Sequence, residues 1–125
     1  MVDLSAGQDN SSKNSSLVLG YKTWLEKDDA ILGEGFFQIL EYIRQTGSIA
    51  GAASAMGMSY RTAWGKIKNA ERKCSIPLVI TRVGGETGGG AKLTPEAVRL
   101  LQSYYHFKEE VDREINKIFK RFFKV

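Results

Sequence analysis

The tripeptide Gly57-Met58-Ser59 constrains this chain more than any other feature, because it separates two segments that each carry their own helix start and stop. Ser48 offers a side-chain oxygen to the first amides of a short alanine-rich segment, Ile49 to Met56, and Gly57 supplies the residue type that ends it in a left-handed turn. Ser59 repeats the capping role for a segment reaching about Cys74, and Pro77 prevents further continuation. Two helices joined by so short a turn cross steeply, and the second is left with an outward face.

The flanking sequence extends this pair into a domain. From Gly35 to Gln45, Phe36, Ile39, Leu40 and Ile43 recur at helical spacing, and Gly47 follows at the cap position. Leu78 to Val83 is β-rich, the run Gly84-Gly85-Glu86-Thr87-Gly88-Gly89-Gly90 turns the chain, and Ala91 to Leu93 returns it, which reads as a hairpin. Thr94-Pro95-Glu96 places a cap, a proline at the first helical position and a carboxylate at the positive helix end, so a long helix runs onward toward Phe122. At the other end, Val18, Tyr21, Thr23 and Trp24 predict a strand between Leu17 and Glu26. Met1 to Ser16, rich in serine and poor in large apolar residues, reads as a disordered tail.

The expected fold class is therefore mainly α with a small β component: a winged helix-turn-helix with a long C-terminal dimerisation helix. The tail covers residues 1–16, the winged helix-turn-helix domain 17–93 and the long helix 94–125. Hydrophobic residues make up 42% of the chain and charged ones 26%, ordinary globular usage that excludes wholesale disorder.

Charge points to the partner. Residues 59–92 hold seven cations, Arg61, Lys66, Lys68, Arg72, Lys73, Arg82 and Lys92, against two carboxylates, Glu71 and Glu86, a local +5 in a chain whose net charge is +4. At 100° per residue, Ala63, Ile67, Ala70 and Cys74 share the stripe that faces a core. The opposite side presents Arg61, Gly65, Lys68 and Arg72, flanked by Thr62 and Asn69 and on the other edge by Trp64. Such a face suits double-stranded DNA, with the helix in the major groove. Arg61, in the first turn beside Ser59 and Tyr60, is the choice for base recognition. Lys66, Lys68, Arg72 and Lys73 suit phosphates. Gly65 destabilises a helix interior by roughly 1 kcal/mol relative to alanine, and close approach of a DNA backbone is one explanation for its presence. Tyr60 and Trp64, at the edge of the apolar stripe, are expected to be partly buried. In the hairpin, Arg82, Lys92 and the backbone amides of Gly84, Gly85, Gly88 and Gly89 suit a groove or phosphate ridge. A nucleotide-binding loop is the rival, but the Gly-Lys-Ser/Thr ending is missing.

Other chemistries find no footing. Cys74 is the single cysteine, so neither a disulfide framework nor a cysteine-based metal site is expected. His106, the single histidine, lies away from any serine, cysteine or acidic cluster and reads as a surface or dimer-packing residue. Asp28 with Asp29, and Glu109, Glu110 and Asp112, read as solvated charges. We expect no catalytic residues, no metal and no cofactor, and hence no enzyme. Without an apolar run of membrane-spanning length or a signal sequence, no membrane partner is expected, and the location reads as cytoplasmic.

On the long helix, Ala97, Leu101, Tyr104, Val111, Ile115, Ile118 and Phe122 follow alternating steps of four and three, with Lys108 interrupting the pattern. That seam calls for a partner helix and predicts a homodimer.

From about Lys22 to Tyr105 the chain resembles the DNA-binding domain of the molybdate-responsive, ModE-type transcription regulators. The resemblance rests on Thr46-Gly47-Ser48-Ile49, on Met58-Ser59-Tyr60-Arg61-Thr62-Ala63-Trp64, and on the wing Gly84 to Gly90 followed by Leu93-Thr94. More distantly the layout is similar to the LysR-type regulators. It implies operator binding through the helix from Ser59 to Cys74, and dimerisation through the long helix with the first strand and helix, where Trp24 lies. Full-length regulators of that type carry C-terminal oxyanion-binding domains, for which this chain has no room, so we expect a stand-alone regulator lacking them, under the control of its abundance, a protein partner or an unidentified effector. The competing class is a winged-helix module for protein or RNA interaction.

Overall fold

The computed structural model describes residues 17–83 and 89–123. Two units organise it, one comprising residues 23–105 and the other residues up to 22 together with those from 106 onward.

In the first unit the helix α1, Glu34–Thr46, directs Phe36, Phe37, Ile39, Leu40 and Ile43 inward and ends at Gly47, whose φ of 79° is the left-handed conformation glycine tolerates. Helix α2, Ile49–Met56, starts with the Gly51 amide donating to Ser48 Oγ at 2.8 Å and ends at Gly57, φ 70°. Helix α3, Tyr60–Cys74, starts with the Thr62 amide donating to Ser59 Oγ at 3.0 Å. Helix boundaries agree with the sequence reading within a residue because these caps are local.

The strand expected over Leu17–Glu26 is not formed as such. Residues 17–24 lie outside regular structure, and β1, Leu25–Lys27, pairs with β2, Ala30–Leu32, in antiparallel register Leu25↔Leu32. A strand needs a partner ladder, and the two-residue turn at Asp28-Asp29 supplies one only to the three residues on either side. Asp28 takes φ 55°, a left-handed turn conformation that aspartate tolerates better than most residues.

After α3, Ser75 in the left-handed region ends the helix, and β3, Val79–Arg82, pairs antiparallel with β4, Gly90–Leu93, in register Val79↔Leu93. Main-chain and side-chain hydrogen bonds fix the wing base. The Ala91 amide donates to the Gly47 carbonyl at 2.8 Å, and Thr94 Oγ1 donates to the Pro77 carbonyl at 2.8 Å. Thr94 Oγ1 also accepts from the Ala97 amide, capping α4, Pro95–Phe122.

The core gathers Leu32, Phe37, Ile39, Leu40, Ile43, Ala63, Ile67, Leu78, Ala97 and Leu101. Phe37 stacks on Tyr104 with ring centroids 4.0 Å apart, and the Tyr105 hydroxyl donates to the Glu41 carboxylate, so the first turns of α4 are bound to α1. In the second unit, Val111, Ile115 and Phe119 are half-buried. There Lys108 Nζ sits 5.6 Å from the Tyr21 ring centroid, which accounts for a lysine where the apolar seam is interrupted.

Candidate nucleic-acid interface

Helix α3 is held from one side only. Ala63, Ile67 and Ala70 are buried in the core and Cys74 packs against it, as the periodicity predicts. On the opposite side Arg61 and Arg72 are exposed and Gly65 and Lys68 half-buried; Thr62, exposed, and Asn69, half-buried, lie at its edge, and Lys66 is exposed on the flank toward the β1–β2 hairpin. Tyr60 and Trp64 depart from expectation: they are 52% and 43% exposed, because the small side chains of the stripe let α3 sit close to the core without covering its edges. Both aromatics therefore belong to the outward surface.

The cations fall into two groups. Among the described residues, Arg61, Lys66 and Arg72 make no ion pair; Arg72 donates to Asn69 Oδ1 at 3.0 Å. Lys68 pairs with Glu71 at 3.2 Å and lies 5.7 Å from the Trp64 ring centroid, and Lys73 pairs with Asp29 at 3.0 Å. The hydrogen bond and charge of Lys73 hold the Asp29 carboxyl below the usual range, so Asp29 is an ion-pair partner rather than only a solvated charge. An ion pair open to solvent, as Lys73–Asp29 is, contributes little, so a phosphate competes readily for Lys73, whereas Lys68 pairs with a mostly covered Glu71.

Gly65 is the most informative position. A Cβ built there meets nothing within 4 Å, so packing within the chain gives no reason for glycine in the middle of α3.

Glu71 is a positioning residue that the sequence reading missed. Its Oε2 accepts from the amides of Leu78 and Val79, at 2.8 and 3.1 Å, fixing the start of the wing to α3. Burial raises the Glu71 pKa, but those amides and Lys68 outweigh it and hold the carboxyl below the ordinary range. A carboxylate one turn before a helix end, with a proline-stopped return six residues later, was the available signal.

In the wing, Arg82, Lys92 and Gly89 are exposed. Gly84, Gly85 and Gly88 lie outside the described residues. A cleft of about 260 Å³ separates Ser48, Ala50 and Tyr60 from Thr81, Arg82 and Gly90, so the wing and the starts of α2 and α3 border one space.

The residues assigned to dimerisation are dispersed. Leu101, at 2% exposure, is committed to the core, and Tyr104 is half-buried against Phe37. That inward role follows from the first turns of α4 packing on α1, and it removes Leu101 from the surface available to a partner. Trp24 is exposed, with its indole N–H donating to Glu26 at 2.8 Å. Val111 and Ile115 are half-buried, whereas Ile118 and Phe122 are 47% and 69% exposed. His106 is exposed. Among the described residues no group of three or more His, Cys, Asp or Glu is placed to hold a metal ion, and no helix is long and apolar enough to cross a membrane.

Comparison with known proteins places this arrangement. Residues 36–98 match the family described as bacterial regulatory helix-turn-helix protein, lysR family. The chain is 47% identical over 70 residues to the molybdenum transport protein ModE of Herbaspirillum seropedicae, an alignment covering 56% of this chain and 26% of that protein. It is 38% identical over 80 residues to the molybdenum-pterin-binding protein MopB of Rhodobacter capsulatus, covering 64% of this chain and 30% of the relative. The chain thus spans less than a third of the length of these relatives. The fold is similar to that in the crystal structure of the CbnR_DBD-DNA complex, with a TM-score of 0.53 at 15% identity over 69% of this chain and 93% of that one.

Proposed function

The chain belongs to the lysR family of bacterial regulatory helix-turn-helix proteins, and from that premise we propose that it is a dimeric, sequence-specific regulator of transcription that binds double-stranded DNA. The observation that carries this reading is the outward face of α3, where Arg61, Lys68 and Arg72 share a side with the open site at Gly65, and Lys66 stands exposed on the flank. In this reading α3 enters the major groove and Arg61, in its first turn, reads a base edge, to which an arginine can donate two hydrogen bonds. Lys66, Lys68, Arg72 and Lys73 neutralise phosphates. Arg82, Lys92 and the glycine-rich turn follow the backbone or the minor groove. Tyr60, Trp64, Thr62 and Asn69 border the same contact.

The exposed part of the α4 seam, Ile118 and Phe122 with Val111 and Ile115, joins a second copy, and Trp24 lies at the edge of that contact. The protein acts in the cytoplasm without enzymatic activity. The names of the full-length relatives, two of them molybdenum proteins, extend to this chain only as far as the shared regulator domain.

Selection from a random duplex pool tests the reading. The wild type is expected to yield a palindromic motif with half-sites one helical turn or a multiple apart. Arg61→Ala is expected to relax one position of each half-site at a cost of about 1–3 kcal/mol in discrimination. Motif-free binding by the wild type that vanishes with salt sinks the specific role and leaves only a nonspecific anchor.

A further inference from the structure

The β1–β2 hairpin, the start of α1 and one flank of α3 enclose a groove of about 480 Å³, within the 300–1,000 Å³ typical of small-molecule sites. Its floor is apolar: Leu32, Phe36 and Ile39 line it although each is buried, and Met58 closes one side. The polar groups that α3 brings to it are donors. Lys66 lines the groove and makes no ion pair among the described residues. Asn69 also lines it, and because its Oδ1 already accepts from Arg72, its amide NH₂ is left as a donor.

The helix start adds to those donors. Gly33 and Gly35 line the groove, and Gly33 gives α1 no side-chain cap, so the first-turn amides face no acceptor of that kind. Glu34, the acid of that turn, lines a different cavity together with Phe37 and Tyr104. Asp29, the one carboxylate lining the groove, is paired with Lys73.

We propose that this groove binds a small organic monocarboxylate with a compact apolar body, the body lying against Ile31 and Met58 over the mostly buried Leu32 and Phe36 and the carboxylate facing Lys66 and the Asn69 amide. A single unpaired cation over an apolar floor suits one negative charge; a phosphate or dicarboxylate would leave charge unmet there. The regulatory consequence rests on the DNA-binding reading above. Lys66 serves both surfaces, so a bound carboxylate withdraws a cation from the duplex, and by linkage DNA weakens the carboxylate to the same degree.

The test titrates the full chain, free of DNA, with phenylacetate and with its neutral isostere phenylacetamide, followed by amide NMR. Phenylacetate is expected to shift Gly35, Phe36 and the Asn69 side chain with a dissociation constant on the order of 1 mM, and phenylacetamide to bind about tenfold more weakly. Lys66→Gln is expected to bring the two ligands level. Gly35→Leu is expected to abolish both, since a Cβ at 35 meets nothing within 4 Å and the larger side chain fills the groove without displacing its walls. Equal binding of acid and amide to the wild type, indifference to Lys66→Gln, or no shift at these residues overturns the proposal. The same samples with duplex DNA keep the two readings apart. Phenylacetate binding without DNA binding sinks the DNA reading alone, and the converse sinks the groove alone.

Discussion

The two halves of α4 carry the same apolar periodicity and end in opposite environments. Ala97 and Leu101 are sealed into the core, whereas Ile118 and Phe122 stand exposed at the same spacing. Periodicity thus records that a helix face needs covering, and says nothing of what covers it. In the first half the cover is supplied by α1, through Phe37 against Tyr104. In the second half the exposed residues are the ones we assign to a second copy.

Substitutions at matched positions can break that distinction. Leu101→Ala is expected to have the largest effect, lowering stability by about 2–5 kcal/mol through lost burial and a residual cavity, measured as a lower urea midpoint at unchanged slope. A loss under about 1 kcal/mol would place Leu101 outside the cooperative core. Ile118→Asp is expected to leave the fold of residues 23–105 intact and to convert the dimer to a monomer in sedimentation at micromolar concentration. A stable monomer in the wild type sinks the dimer outright.

Glu71→Gln sharpens a second contrast, between the firmly held end of α3 and its free face. Losing the charged acceptor for Leu78 and Val79 is expected to cost about 1–2 kcal/mol and to loosen the start of the wing, seen as faster amide exchange at both residues. The sign with pH follows from the lowered carboxyl pKa. The contribution is fully present above the ordinary value of 4.5 and is lost as pH falls through the lower folded-state value. Stability profiles of wild type and Glu71→Gln should therefore converge in acid, and parallel profiles would falsify the assignment. The smallest effect on the fold is expected from Gly65→Ala, which should stabilise α3 by up to roughly 1 kcal/mol while weakening duplex binding. Stabilisation with unchanged DNA affinity would remove the functional reason for that glycine.

What the chain discloses by its residues alone follows the range of the interactions involved. Ser48, Gly57, Ser59 and Thr94 act within a turn of their own position, so α2, α3 and the start of α4 are legible from their caps. The buried stripe of α3 is equally plain, because a 3.6-residue repeat suffices to fix it. The β1–β2 hairpin is not legible in this way. Its β-branched and aromatic candidates lie mostly upstream of the residues that pair, and the pairing depends on a two-residue aspartate turn that composition alone reads as charge. The site is legible in its cations and not in their pairing. That Lys68 and Lys73 are engaged while Lys66 is not depends on Glu71 and Asp29, and Asp29 reaches α3 only through the hairpin. The exposure of Tyr60 and Trp64 likewise depends on how closely α3 seats against the core.

The bond from the Ala91 amide to the Gly47 carbonyl joins two main-chain groups, so it makes no demand on the side chain at 91, while the left-handed turn at 47 keeps glycine there. A clamp of that kind separates the orientation of the wing base from the composition of its tip. Descendants of this chain are free to lengthen, shorten or recharge the glycine-rich turn, and so to change what it touches, while the strands beneath keep their angle to the helices.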